Sequence, residues 1–140
     1  MGEATAEQLD QTQAIRTILV VEDEVLIRLA VAEYLRSCGY RILEARDGDE
    51  ALQILRSSET VELLFSDIQL PGSMNGFELA RWASRHRRGI KIILTSGVAR
   101  SATQAADLCE HGPSLAKPYT HDELLRRVRL LLASANNGSA

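Results

Sequence analysis

Apolar residues cluster into short runs along this chain, and the runs end in polar residues of distinct kinds. Ile18-Leu19-Val20-Val21 runs into Glu22-Asp23. Val61-Glu62-Leu63-Leu64-Phe65-Ser66 ends in Asp67, just before Leu70-Pro71-Gly72. Ile90-Lys91-Ile92-Ile93-Leu94 ends in Thr95-Ser96, and Ser114-Leu115-Ala116 ends in Lys117-Pro118. With a further run near residues 40–45, these predict strands at about 16–21, 40–45, 61–66, 90–95 and 113–116.

The segments between them carry helical spacing. From Glu24 to Cys38, the residues Val25, Leu26, Leu29, Ala32 and Leu35 form an apolar stripe, and Gly39 is a natural C-terminal stop. Asp47-Gly48 opens a short helix carrying Ala51, Leu52 and Leu55. Gly76 precedes a helix with Phe77, Ala80 and Ala83. Ser101 to Glu110 is alanine-rich and is followed by Gly112. Thr120 caps a last helix whose apolar face is Leu124, Leu125, Val128, Leu131 and Leu132. Strict alternation of strand and helix predicts an α/β fold, (βα)5, with a parallel sheet and right-handed crossovers.

Composition narrows the picture. A chain of 140 residues suits one domain. Residues 1–14 read as a flexible arm and 135–140 as a disordered tail, leaving 15–134 as the folded unit. A net charge of −3 argues against nucleic acid as a main partner. No stretch approaches the roughly 20 apolar residues of a membrane helix, and the polar N-terminus lacks a signal-peptide core. The expected location is the cytoplasm. Cys38 and Cys109 lack metal or redox spacing and read as small helix hydrophobes.

The chemistry lies at the strand ends. In an open parallel sheet the carboxyl ends of the strands converge on one crevice. Here that crevice would hold Glu22, Asp23, Asp67, Thr95, Ser96 and Lys117. Three carboxylates together repel unless a cation is shared, and Mg²⁺ is a hard ion suited to such oxygens. Asp67 is the candidate nucleophile toward a phosphoryl group, Lys117 a point charge for its oxygens, and Ser96 or Thr95 a hydroxyl donor. Each residue alone has an ordinary explanation: a helix-dipole acid pair, a turn aspartate, a surface lysine, small strand-end residues. The weight rests on the set.

That set, with Val20-Val21-Glu22-Asp23-Glu24, Ala45-Arg46-Asp47-Gly48-Asp49-Glu50-Ala51-Leu52, Ser66-Asp67-Ile68-Gln69-Leu70-Pro71-Gly72, Asn75-Gly76-Phe77-Glu78-Leu79, Leu94-Thr95-Ser96-Gly97 and Leu115-Ala116-Lys117-Pro118-Tyr119, resembles the receiver domain of two-component response regulators. The resemblance runs from Thr17 to Leu132. It implies a flavodoxin-like sheet of order 2-1-3-4-5, Asp67 as phosphoacceptor, and a sensor histidine kinase or histidine phosphotransfer protein as donor. It implies Mg²⁺ held by Asp23, Asp67 and the Gln69 backbone carbonyl, with Glu22 helping through water. It also implies Lys117 as the phosphate-contacting lysine and a cis Lys117-Pro118 bond.

Three departures stand out. The loop Gly72-Ser73-Met74-Asn75-Gly76 is one residue longer than usual, and counting through it puts Ser96, not Thr95, at the hydroxyl position. Ser114 stands where an aromatic switch residue is usual, so the usual aromatic rotation cannot operate there; Tyr119 is the nearby aromatic. Val98 and Gln69 occupy positions that tune dephosphorylation, and apolar Val98 cannot orient water, so an aspartyl phosphate of ordinary lifetime is expected.

The expectation is a stand-alone, phosphorylation-dependent switch or phosphorelay intermediate. It would catalyse only its own phosphotransfer and dephosphorylation and signal to an unknown downstream protein, with a homodimer left open. The alternative is a receiver-fold interaction module that works without phosphorylation. An aspartyl phosphatase fits less well, because its nucleophile would be expected after the first strand in a DxD arrangement. A nucleotide-binding protein lacks any GxGxxG or P-loop. The basic cluster Arg81, Arg85, His86, Arg87, Arg88 and Lys91 reads as a solvated helix terminus. Arg126, Arg127 and Arg129 read the same way. Trp82 reads as helix packing, and His111 and His121 as surface residues.

Overall fold

The computed structural model describes residues 14–96 and 115–138. Five parallel strands form one sheet: β1 (Thr17–Val21), β2 (Arg41–Ala45), β3 (Leu63–Asp67), β4 (Lys91–Ser96) and β5 (Leu115–Ala116), in the order β2-β1-β3-β4-β5. Four described helices accompany them: α1 (Val25–Ser37), α2 (Gly48–Arg56), α3 (Gly76–His86) and α4 (His121–Gly138). The expected α/β class and flavodoxin-like strand order are present. The segment 101–110 predicted as helical, together with Gly97, Val98, Cys109, His111 and Ser114, lies outside the described residues, as does most of the N-terminal arm.

The unbroken apolar runs follow from helices covering both faces of the sheet. All five residues of β1 and all five of β3 are buried, as expected of central parallel strands. Side chains alternate, so one strand feeds two cores. Ile18, Val20, Leu63, Phe65 and Ile93 pack with Val31, Ala32 and Leu35 of α1 and Leu124, Val128, Leu131 and Leu132 of α4. Leu19, Val21, Leu64, Ile92 and Leu94 pack with Ala51 and Leu55 of α2 and Leu79, Ala80 and Ala83 of α3.

The capping residues act as their chemistry suggests. Asp47 accepts from the Glu50 N–H at the start of α2. Asn75 and Glu78 close a reciprocal capping box on α3. Thr120 and Glu123 make the same pair of bonds before α4. Gly39, at φ +103°, takes the left-handed turn that ends α1.

Several expectations need correction. In the α1 stripe, Ala32 and Leu35 are buried as expected, with Val31 beside them, but Val25, Leu26 and Leu29 are exposed, Leu26 by 82%. The stripe therefore meets the core only along the second half of the helix. Cys38 is only half-buried, at the C-terminal cap of α1. Arg87 is no solvated terminus: its guanidinium donates to the backbone carbonyls of Leu55 and Glu59, tying α3 to the end of α2. Trp82, by contrast, packs as expected, half-buried against the α2–α3 core and stacked on His86.

Candidate functional site

Strands β1 and β3 are neighbours, and the chain leaves β1 toward β2 on one side and returns to β3 on the other. Such a reversal opens a crevice at the carboxyl ends of the strands. Glu22 and Asp23 emerge from β1 into it, and Asp67 is the last residue of β3.

The Glu22 N–H donates to the Ala45 carbonyl at 3.1 Å and extends the β1–β2 ladder by one residue. This keeps the Glu22 side chain buried, while Asp23 beyond it is exposed. Asp67 is 8% exposed. Its Oδ1 accepts from the Gln69 N–H at 3.2 Å and its Oδ2 from Lys117 Nζ at 2.8 Å. Ser66 Oγ donates to the Asp67 carbonyl. Gly76 lies so close that a Cβ there would sit 2.3 Å from the Asp67 carbonyl oxygen. Only glycine lets α3 start directly against the strand that carries Asp67.

Lys117 follows β5, whose edge is locked by a Lys117 N–H bond to the Ser96 carbonyl at 3.0 Å. The Lys117-Pro118 peptide is cis, as the resemblance implied. From there Nζ reaches both Asp67 and Glu22 Oε1, the latter at 3.8 Å. Register sets Thr95 opposite Asp67. Ser96 is one residue further, so the two hydroxyls leave the strand on opposite faces. Ser96 is buried; Thr95 is 1% exposed, and its Oγ1 has no hydrogen-bond partner. An orphaned buried hydroxyl is uncommon. Gln69 is exposed, two residues past Asp67, and meets it through its backbone.

The electrostatics follow from this crowding. Burial, the largest influence, raises the Glu22 carboxyl above 4.5, reinforced by the Asp67 charge and opposed by the Glu24 N–H and Lys117. For Lys117, burial pulls downward. The hydrogen bond to Asp67 and the charges of Asp67, Glu22 and Glu24 together outweigh it, so the ammonium is held above 10.5. The Tyr119 phenol is pushed up to about 12 by burial and by the charges of Glu22 and Asp67. Its ring meets Phe65 edge-on with centroids 5.9 Å apart.

One carboxylate oxygen from each of Glu22, Asp23 and Asp67 lies within 4.8 Å of the others. Ligands facing one another across Mg²⁺ stand about 4.2 Å apart, at about 2.1 Å per bond. A spread of up to 4.8 Å slightly exceeds that span, so the three acids fit around one ion when at least one of them reaches it through water. Three carboxylates against one ammonium leave a charge deficit that a divalent cation balances.

Beside the site, Leu26, Ile27, Ala30 and Val31 of α1 face Lys117, Pro118, Tyr119 and His121 across a groove of about 520 Å³. Sequence reasoning missed this groove, because it depends on how α1 and the β5–α4 connection, far apart in the chain, are set beside each other. It also missed Arg28, which sits five residues after Asp23 with its side chain turned back to the Glu22 carbonyl.

A five-stranded parallel sheet of order 2-1-3-4-5, with an acidic cluster at its switch point and a lysine reaching into it, defines a flavodoxin-like fold with an acidic strand-end site. Residues 18–129 match the response regulator receiver domain, and the chain belongs to that family. It is 34% identical over 134 residues to the transcriptional regulatory protein ResD of Bacillus subtilis, covering 94% of this chain and 53% of ResD. The chain thus spans about half the length of the curated relatives it matches. A CheY-like receiver domain from Methanospirillum hungatei superposes with TM-score 0.80 at 26% identity, covering 89% of this chain and 98% of that one. The response regulator TrrA of Thermotoga maritima, solved with Mg²⁺ and BeF, superposes with TM-score 0.75 at 31% identity, covering 84% and 99%. Receiver domains are regulators of two-component systems rather than turnover enzymes. Among the described residues no helix is long and apolar enough to cross a membrane.

Proposed function

We propose that this chain is a phosphorylation switch or phosphorelay intermediate that accepts a phosphoryl group on Asp67 from a sensor histidine kinase or a histidine phosphotransfer protein. The observation that carries the reading is the placement of Lys117 Nζ between Asp67 and Glu22, with Asp23 completing the acidic cluster. A carboxylate needs little covalent help to take a phosphoryl group; it needs positioning and neutralised charge.

In the proposed reaction an Asp67 carboxylate oxygen attacks phosphorus in line, and the phosphorus–nitrogen bond of the donor imidazole breaks. The electron pair returns to the ring nitrogen. Lys117 holds an Asp67 oxygen and then a phosphoryl oxygen. Ser96, the last residue of β4 at the carboxyl edge, donates its hydroxyl to another. Glu22, Asp23 and Asp67, with the Gln69 backbone, would hold Mg²⁺, which when bound offsets the negative charge gathering on the phosphoryl oxygens. TrrA with Mg²⁺ and BeF supports this assignment by analogy.

The donor docks over the groove between α1 and the β5–α4 connection. Lys117 belongs to both the groove and the site. A partner helix seated on exposed Leu26 therefore lies beside Asp67. Once formed, the phosphoryl group adds negative charge and acceptor oxygens. The signal then leaves by protein–protein contact or by onward transfer.

Intact mass after incubation with acetyl phosphate and Mg²⁺ tests this. A single phosphoryl adduct is expected on the wild type, and none on Asp67→Ala or without Mg²⁺. An unmodified wild type would favour a receiver-fold interaction module that works without phosphorylation.

A further inference from the structure

The core-facing stripe of α1 has an unexpected member. Val31, Ala32 and Leu35 are its buried residues, and helical spacing carries the same stripe back to position 28. There the residue is arginine, and its side chain is only 16% exposed. It does not reach outward to water. Its Nη1 donates to the Glu22 carbonyl at 2.9 Å, and its Nε donates to Glu44 Oε1 at 3.2 Å. Glu44 lies on β2 opposite Val20, on the α1 side of the sheet. Its other oxygen, Oε2, pairs with Arg36 Nη2 at 3.1 Å, and Arg36 in turn donates to the Ile42 carbonyl.

The carbonyl that Arg28 holds belongs to the peptide joining Glu22 to Asp23. A peptide group is planar. Fixing its oxygen therefore constrains the directions in which the two flanking side chains leave the backbone. Little else braces the turn. Glu24, the N-cap of α1, makes no side-chain capping bond. The Glu22 N–H is tied to Ala45, and the Glu24 N–H reaches the Glu22 carboxylate itself. The planar guanidinium fork suits this bridging; an ammonium offers no comparable span.

We infer that Arg28 is a positioning residue for the divalent-cation site: it clamps the Glu22–Asp23 peptide against β2 through Glu44 and so presents both carboxylates to the ion. The inference rests on the metal reading above and deepens it. Its test is sharp because electrostatics alone predicts the opposite. Arg28 is a cation close to the acidic cluster, so a purely electrostatic role would make its removal strengthen Mg²⁺ binding.

Titration calorimetry of the whole chain with Mg²⁺ would measure the dissociation constant for the wild type, Arg28→Met, Arg28→Lys and Arg36→Met. Melting in EDTA would report stability separately. Arg28→Met should weaken Mg²⁺ about tenfold, the scale seen when partners behind metal ligands are lost. Arg36→Met cuts the same network without touching Glu22 and should leave the affinity unchanged, whatever it does to the melting point. Unchanged or tighter binding in Arg28→Met overturns the inference, and so does equal weakening in Arg36→Met. Should Arg28→Met fail to fold, Arg28→Lys decides: it keeps the charge but cannot span Glu22 and Glu44, so wild-type affinity there overturns the clamp. A wild type that takes up no Mg²⁺ overturns the metal site itself, and the inference with it.

Discussion

Helices α1 and α3 both begin at the carboxyl edge of the sheet, and they begin in opposite ways. The first turn of α3 is closed by the Asn75–Glu78 capping box, its glycine is seated against Asp67, and Leu79, Ala80 and Ala83 are buried. The first turn of α1 has no side-chain cap and leaves Val25, Leu26 and Leu29 exposed. What braces it is Arg28, reaching back to the turn before the helix. The difference separates two tasks. α3 backs the strand that carries Asp67 and is built for stability. α1 borders the open side of the site, where apolar surface is left exposed and the Arg28 side chain is turned toward the acidic loop.

Leucine truncation on each helix should give the largest contrast. Leu79→Ala empties a fully buried position and should cost about 3 kcal/mol of unfolding free energy. Leu26→Ala, on the exposed turn of α1, should stay within about 0.5 kcal/mol. Urea denaturation reads both. Under the docking proposal, Leu26→Ala should also slow phosphotransfer from a protein donor while leaving acetyl phosphate labelling intact. Equal stability losses at the two positions would erase the contrast.

Capping comes next in size. Asn75→Ala should destabilise the fold by about 1 kcal/mol, since the Glu78 N–H loses its side-chain acceptor. Glu24→Ala, at the start of α1, has no side-chain capping bond to lose and should cost less on the same denaturation curve.

The smallest effect concerns pH. Burial raises the Glu22 carboxyl in the folded chain above 4.5. In the window between 4.5 and that raised value, the folded state holds a proton that the unfolded state has released. Stability in EDTA should therefore fall as pH rises through this window. Melting points across pH should show that slope for the wild type and lose it in Glu22→Gln. Added Mg²⁺, which favours the ionised carboxylate, should oppose it.

Much of this was legible along the chain. The runs ending at Val21, Phe65 and Leu94 announce central strands because both of their faces are covered. Asp47 and Thr120 mark helix starts because their side chains satisfy local N–H groups, while the Asn75 cap of α3 showed only in the structure. Glu22, Asp23, Asp67 and Lys117 could be grouped because parallel strands put their carboxyl ends on one edge. The extent of the α1 stripe was less legible. Val25, Leu26 and Leu29 share the spacing of Ala32 and Leu35, yet the buried set starts at Val31, and one turn earlier, three residues back, stands Arg28. A periodicity names a face; it does not say where along the helix the neighbouring sheet turns from apolar side chains to polar strand ends. Arg87 misled for a similar reason, since its carbonyl partners at Leu55 and Glu59 lie 32 and 28 residues away.

The sequence by itself determined the alternation of strands and helices, the caps that start them and the chemical inventory of one crevice. Those depend on local propensity, period and strand polarity, which act over a few residues. Tertiary structure alone decided how much of the α1 stripe the sheet covers, that Lys117 lies between Asp67 and Glu22, that the Thr95 hydroxyl is buried without a partner, and that Arg28 holds the peptide between two acids. Each of those is a matter of ångströms between segments far apart in the chain, set by how two cores pack on one twisted sheet.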